Sequence, residues 1–326
     1  MSFTKTAALP VSPDEAFALI TEPERLRRWL TVTAVIDLRA GGSYRWTVSP
    51  GHLAGGTVRE VEPGRRIVFG WGWDGDEALP YDASTVTVTV EPSGAGGSIV
   101  TLVHEGLDEE QAKAHAQGWD HYFERLERLA TMGDAGPDEL AYAPEHLTPV
   151  VAAEAALAAL QPVLRNLTAD DLARSTPCQD FDCRGLIEHL LVSLEQLGAM
   201  AGATLAAPTQ GSWEDRVSVL AGQVIDAWRE VDLDGTLPGP DGTPMPASFA
   251  ASILPVELAL HGWDLAQGSR QQLEVSDELV DYLRTLAEGF VPGGRGTSFA
   301  DEAAPAEGAS AIDRLAAYAG RTPLPA

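Results

Sequence analysis

The sequence predicts two domains of different class. The first is an α+β domain in which an antiparallel sheet grips one long C-terminal helix. The second is an all-α four-helix bundle with extra C-terminal helices. Three observations predict this. The chain has 326 residues, more than one ordinary core holds. Apolar residues are spaced mostly as in strands before a break near residue 133 and as in helices after it. A break rich in glycine, proline and acids starts at Gly133-Asp134-Ala135-Gly136-Pro137-Asp138 and runs to Pro144 and Pro149. These place the first domain at 1–135, a linker at 136–147 and the helical domain at 148–326.

The first domain opens with a strand from Thr4 to Val11. Ser12-Pro13-Asp14-Glu15 then starts a helix, with Ser12 as N-cap, Pro13 in the first turn and Glu15 completing a capping box. A second short helix covers Pro23 to Trp29. In the strand Ile67-Val68-Phe69-Gly70-Trp71-Gly72-Trp73 the large residues 67, 69, 71 and 73 share one face. The glycines on the opposite face leave room for a close neighbour. Val86, Val88 and Val90 alternate with threonines, and Ile99 to His104 is a further strand. A long helix from Glu109 to Met132 carries the stripe Ala112, His115, Ala116, Trp119, Tyr122, Phe123, Leu126 and Leu129.

The second domain reads as helices at Thr148–Asn166, from the Asp182 cap to Met200, Trp213–Glu230 and Ala247–Gln267. Residues Val231 to Pro246 hold four prolines and three glycines, which excludes a helix there. Terminal helices are expected at Ser276–Glu288 and Ala309–Ala319.

Composition narrows the function. With 48 acidic and 22 basic residues the net charge is -26, which repels nucleic acid and anionic membranes alike. No run of 18 apolar residues and no signal-peptide pattern occur, so a soluble, cytoplasmic protein is expected. Cys178 and Cys183 make neither a disulfide scaffold nor a thiolate zinc site, and read as inert thiols. His121 falls off the long-helix stripe and reads as solvated, while His52 and His146 sit in loop-like stretches. No G-x-S-x-G, P-loop or G-x-G-x-x-G motif occurs.

The fourth helix of the second domain carries the chemistry. It is apolar nearly all round, yet Glu257, His261 and Asp264 lie on one stripe at spacings of four and three. A buried carboxylate needs a partner. The second helix adds His189 in another apolar run. Together His189, Glu257 and His261 form a His2Glu set, which suits zinc with an open fourth position. Asp264 would stand just outside the ligands. The same residues read equally as a Glu257–His261 pair closed inside the core, with His189 satisfied by a hydroxyl.

Two resemblances bear on this choice. Residues 3–130 resemble the SRPBCC superfamily (Bet v 1-like, START-type), in its Activator-of-Hsp90-ATPase-homology branch. The matching text is Val11-Ser12-Pro13-Asp14-Glu15-Ala16-Phe17 with Trp29, then Gly55-Gly56-Thr57-Val58, then Gly118-Trp119. The resemblance implies a helix-grip fold enclosing an apolar ligand cavity, which Phe69, Trp71, Trp73, His115 and Trp119 would line; the same residues also read as plain core. Residues 148–326 resemble the DinB/mycothiol-dependent maleylpyruvate isomerase superfamily. Here the matching text is Thr176-Pro177-Cys178 through Glu188-His189, Glu257-Leu258-Ala259-Leu260-His261-Gly262-Trp263-Asp264, and Arg314 through Thr322-Pro323. Phe181 departs from it, standing where tryptophan is common. The resemblance implies metal ligation by His189, Glu257 and His261, and a low-molecular-weight thiol such as mycothiol as co-substrate. The expected function is therefore a metal-dependent, zinc-type thiol transferase or thiol-dependent isomerase with an apolar ligand in the N-terminal cavity. The alternative is a non-catalytic small-molecule-binding or stress-response protein with a metal-binding module.

Overall fold

The computed structural model describes every residue except 95, 143, 145, 179, 240, 241 and 326, and of Tyr142 only the backbone. The chain divides into two compact units, Met1–Asp138 and Glu139–Ala326.

The first unit runs β1 (Ser2–Leu9), α1 (Pro13–Thr21), α2 (Pro23–Leu26), β2 (Thr33–Ile36), β3 (Ser43–Ser49), β4 (His52–Glu62), β5 (Arg66–Trp73), β6 (Ser84–Ser93), β7 (Gly97–Glu105) and α3 (Glu109–Met132). The strands form one antiparallel sheet in the order β1-β7-β6-β5-β4-β3-β2. Ser12 caps α1 by accepting a hydrogen bond from the Glu15 amide, whereas the Glu15 carboxylate pairs with Arg25. Asp108 and Gln111 form the capping box of α3, and Gly133 ends it at φ 78°. Trp119, Tyr122, Phe123 and Leu126 of α3 share one core with Trp46, Phe69 and Trp71 of the sheet. That is a helix-grip arrangement. His52 begins β4 rather than lying in a loop, with its Nδ1 3.1 Å from Ser49 Oγ.

The neighbour that the β5 glycines admit is the segment Pro80–Asp82. A Cβ on Gly72 would stand 1.9 Å from the Pro80 carbonyl oxygen, and one on Gly70 would stand 1.7 Å from Asp82 Oδ1. Asp82 holds the segment by accepting from the Thr57 amide and hydroxyl, both at 2.9 Å.

Residues 136–138 belong to the first unit rather than to a free linker. Arg125 donates to the Gly136 carbonyl at 2.9 Å, and His121 Nε2 lies 3.0 Å from Asp138. His121 is therefore paired, where the sequence suggested a solvated side chain.

The second unit is mostly helical. It runs α4 (Glu139–Tyr142), α5 (Pro149–Arg165), α6 (Cys183–Met200), α7 (Trp213–Arg229), β8 (Thr236–Pro238), β9 (Pro244–Pro246), α8 (Ala247–Ala251), α9 (Ile253–Ser269), α10 (Asp277–Glu288) and α11 (Ala311–Tyr318). The helix α4 lies in the stretch expected to be linker. The four longest helices touch in a closed circuit: α5 on α9, α9 on α6, α6 on α7 and α7 on α5. The helix expected at 247–267 is split at Ser252. Pro255 explains the split, because its ring crowds the carbonyl four residues earlier, at Ala251. The Pro/Gly stretch before it folds back as the β8–β9 pair. Among the described residues no helix is long and apolar enough to cross a membrane.

Two glycines of the first unit should respond to alanine with opposite signs. Gly72→Ala overpacks the site under Pro80 and should destabilise by about 1–3 kcal/mol. Gly118 lies inside α3 with open space at its Cβ position, so Gly118→Ala should stabilise by about 0.5–1 kcal/mol. Urea titration of the full chain by circular dichroism checks both; equal midpoints for the two variants would contradict the packing described.

Candidate metal centre

Helices α6 and α9 build the site. Asp182 caps α6 by accepting from the Gly185 amide at 2.7 Å. α9 is buried on almost every side, as its near-continuous apolar sequence requires. Gly268 sets their approach: a Cβ there would stand 2.6 Å from Cys183 Sγ and 3.1 Å from the Ser175 carbonyl oxygen. Glu257 and His261, one turn apart on α9, then meet His189 of α6. His261 Nε2 is 3.2 Å from Glu257 Oε1, and His189 Nε2 is 3.9 Å from the same oxygen. One ligand atom from each of the three lies within 4.8 Å of the other two. A tetrahedral zinc with ligands near 2.0–2.1 Å needs neighbouring donors about 3.3 Å apart. The Glu257–His261 pair already has that spacing, and a small shift of His189 completes it.

Other residues hold these three. Asp264, fully buried, places Oδ2 3.2 Å from His261 Nδ1. Arg321 Nε donates to both Asp264 oxygens, at 3.1 and 3.3 Å. The helix that brings Arg321 is fixed by Trp263 Nε1 donating to Asp313 at 2.8 Å and by Arg284 stacked 3.3 Å over the Tyr318 ring. The Ser193 hydroxyl donates to Glu257 from α6. Phe181 stacks on His189, with ring centroids 4.8 Å apart and planes 20° apart. Sequence reasoning gave no role to Arg321, Ser193 or Phe181. A signal existed for Ser193, which follows His189 by four residues, the spacing that drew attention to Glu257 and His261.

The charges alternate. Burial opposes ionisation of Glu257, but His261 and the Ser193 hydroxyl outweigh it and hold the carboxyl down at about 2. Burial likewise disfavours charge on His261, yet Glu257 and Asp264 on either side raise it to about 9. His189 is lowered, by burial and then by His261. Without metal, His261 is an imidazolium between two carboxylates. Burial pushes both Cys178 and Cys183 up to about 11, and both are free thiols.

In the first unit the structure gathers Phe69, Trp71, Trp73, His115 and Trp119 into one aromatic cluster. Trp71 packs against Trp73 at 5.3 Å, Trp119 at 5.4 Å and Phe69 at 6.4 Å. Phe69, Trp71 and Trp119 are buried; only Trp73 and His115 of the five are partly exposed. Trp71 Nε1 donates to His115 Nε2 at 3.2 Å, and His115 Nδ1 donates to the Gln111 carbonyl at 2.8 Å. Both nitrogens of His115 are thus engaged. Behind them His104 lies 2.8 Å from Ser84 Oγ and accepts from Trp119; burial and then His115 lower it to about 3, so it is neutral. Ser84 itself donates to the Trp71 carbonyl, so His104 supplies the proton between them. Ser84 is a structural hydroxyl, not an activated nucleophile.

Residues 10–131 match the family described as Activator of Hsp90 ATPase homolog 1-like protein. The N-terminal unit is an AHSA1-like domain of helix-grip fold. Two uncharacterized proteins of Mycobacterium tuberculosis are each 27% identical to the chain over 183 residues, 54% of this chain and 99% of theirs. That stretch is longer than the first unit, so the match includes part of the helical one. Among solved structures, the AHSA1-like protein of Rhizobium etli is 34% identical, with 45% of this chain and 92% of that one covered at a TM-score of 0.36. A Chromobacterium violaceum protein is 25% identical, with 40% and 96% covered at a TM-score of 0.35.

A metal at His261 Nε2 must displace the proton that faces Glu257. Below about pH 9 that proton competes, so zinc affinity should rise about tenfold per pH unit between pH 6.5 and 7.5. Competition titrations against a chromophoric chelator measure it; a flat profile would mean that His261 carries no proton to lose.

Proposed function

We propose that the helical unit is a metal-binding four-helix bundle of the DinB/mycothiol-dependent maleylpyruvate isomerase type, and that it is a thiol transferase or thiol-dependent isomerase. In this reading His189, Glu257 and His261 hold one divalent ion, and zinc suits the two imidazoles and carboxylate best. The observation that carries the reading is the convergence of these three donors from two helices, with Asp264 and Arg321 ordering one of them. When bound, zinc lowers the pKa of a thiol or water and so supplies a nucleophile at neutral pH.

The chain's own residues define the rest. Cys178 and Cys183, both near 11, are almost wholly protonated at neutral pH. Neither cysteine is therefore a ready thiolate, and the resemblance to the mycothiol-dependent superfamily implies a low-molecular-weight thiol such as mycothiol from solution as co-substrate. Asp264 fixes the His261 ring and its tautomer, and Ser193 orients Glu257. His189, 39% exposed, marks the side from which a substrate arrives. The AHSA1-like domain supports ligand binding in the other unit, and an apolar ligand there meets the cluster where Trp73 and His115 reach the surface.

A second reading rests on the N-terminal match itself. An AHSA1-like domain also fits a ligand-binding or Hsp90-activator-like protein, with the metal module binding without turnover. A screen of thiol and electrophile pairs, with and without chelator, separates the two.

Metal content tests the site. His189→Ala, Glu257→Gln and His261→Ala should each lose the bound ion. Asp264→Asn should weaken affinity by about 10–100-fold. His115→Ala, in the other unit, should leave metal per chain unchanged. Elemental analysis after purification decides: wild-type stoichiometry in all three ligand variants would refute the site.

A further inference from the structure

We propose that His189 is the exchangeable ligand of this centre, and that Phe181 is the positioning residue that keeps it in place. The inference rests on the metal reading above and concerns how the ion enters and leaves.

The three ligands are anchored unequally. His261 is 5% exposed, and its Nδ1, the nitrogen that would face away from the ion, is held by Asp264 at 3.2 Å. Asp264 is in turn held by Arg321. Glu257 sits one turn away on the same rigid helix and takes a hydrogen bond from Ser193. These two donors already stand at coordination spacing. His189 differs in each respect. It is 39% exposed, comes from another helix and lies 3.9 Å from Glu257. Among the described residues no hydrogen bond fixes its second ring nitrogen. Phe181 stacks on its face with ring centroids 4.8 Å apart, and the perpendicular ring of His261 has its centroid at 5.3 Å.

Phe181 is itself preset. The buried Thr176 hydroxyl lies 2.9 Å from the Phe181 carbonyl oxygen and 3.1 Å from that of Cys178, and shares its one proton between them. The Phe181 amide closes the turn by donating to the Cys178 carbonyl at 3.0 Å. The Cys183 amide donates to the Arg174 carbonyl at 2.9 Å, tying the start of α6 to the same loop. The backbone that carries the ring is therefore tied down on both sides.

A multidentate ion leaves by breaking one bond at a time, and the ligand with the weakest support goes first. His189 needs only a side-chain rotation toward solvent, and that rotation breaks its stacking on Phe181. His261 cannot rotate without leaving the buried Asp264, and Glu257 cannot move without leaving Ser193.

The test uses the full chain loaded with cobalt(II), chased with excess EDTA and followed by visible absorption. Phe181→Ala should release cobalt about 3–10-fold faster than wild type, the range an aromatic stacking contact supports. Its absorption before the chase should match wild type, because all three ligands remain. Phe181→Leu, which fills space without a flat face, should also be fast, whereas Phe181→Trp should release at or below the wild-type rate. Unchanged release in Phe181→Ala, or wild-type release in Phe181→Leu, overturns the role of Phe181. A wild-type chain that takes up no cobalt overturns the metal reading itself, a distinct result.

Discussion

The helical unit depends on one buried carboxylate. Asp264 has no exposed side-chain surface and sits in an otherwise apolar helix. Left alone, such a group costs several kcal/mol or gives up its charge. It is held by His261 on its own helix and by Arg321 from the far end of the chain. Those two contacts do more than compensate a charge. They fix which edge of the His261 ring turns outward, and so direct Nε2 at Glu257. They also commit the terminal segment: α11 must lie where Arg321 reaches Asp264, and the Trp263–Asp313 hydrogen bond then registers it on α9.

Small residues make the geometry possible in both units, for the same reason. A polar segment can approach a helix or sheet only where no Cβ intervenes. Gly268 lets the Ser175 carbonyl and Cys183 lie against α9, which sets the loop carrying Phe181. Gly70 and Gly72 let Pro80–Asp82 lie on the outer face of β5 while the aromatic residues of that strand fill the inner face. The close packing of interiors then turns each local vacancy into a fixed position.

Periodicity made much of the architecture legible. The alternation in β5, the α3 stripe and the caps Ser12, Thr148, Asp182 and Ser276 are local signals, and each coincides with an element start or face. The split at Ser252 was also written locally, in Pro255, yet the apolar pattern through 247–267 masked it. What stayed illegible was pairing across elements. The β5 glycines announced a vacancy but not Pro80–Asp82 as its occupant. His121 reads as solvated until Asp138 is brought to it. At the site, Glu257 and His261 declare themselves by spacing on one helix. His189 required two helices to be set side by side, and Arg321 lies 57 residues from Asp264 in the chain. No periodic signal spans that distance.

The alternating charges also bear on the order of folding and loading. Glu257, His261, Asp264 and Arg321 run negative, positive, negative, positive, so the row is nearly neutral without any ion. Small zinc domains differ, since their thiolate ligands repel one another until metal arrives and the chain stays unfolded without it. Here a proton on His261 substitutes for the cation, and the surrounding apolar core is complete on its own. On the metal reading proposed above, an ion would therefore replace a proton in a pocket whose surrounding core does not depend on it, and its removal would leave the helices packed.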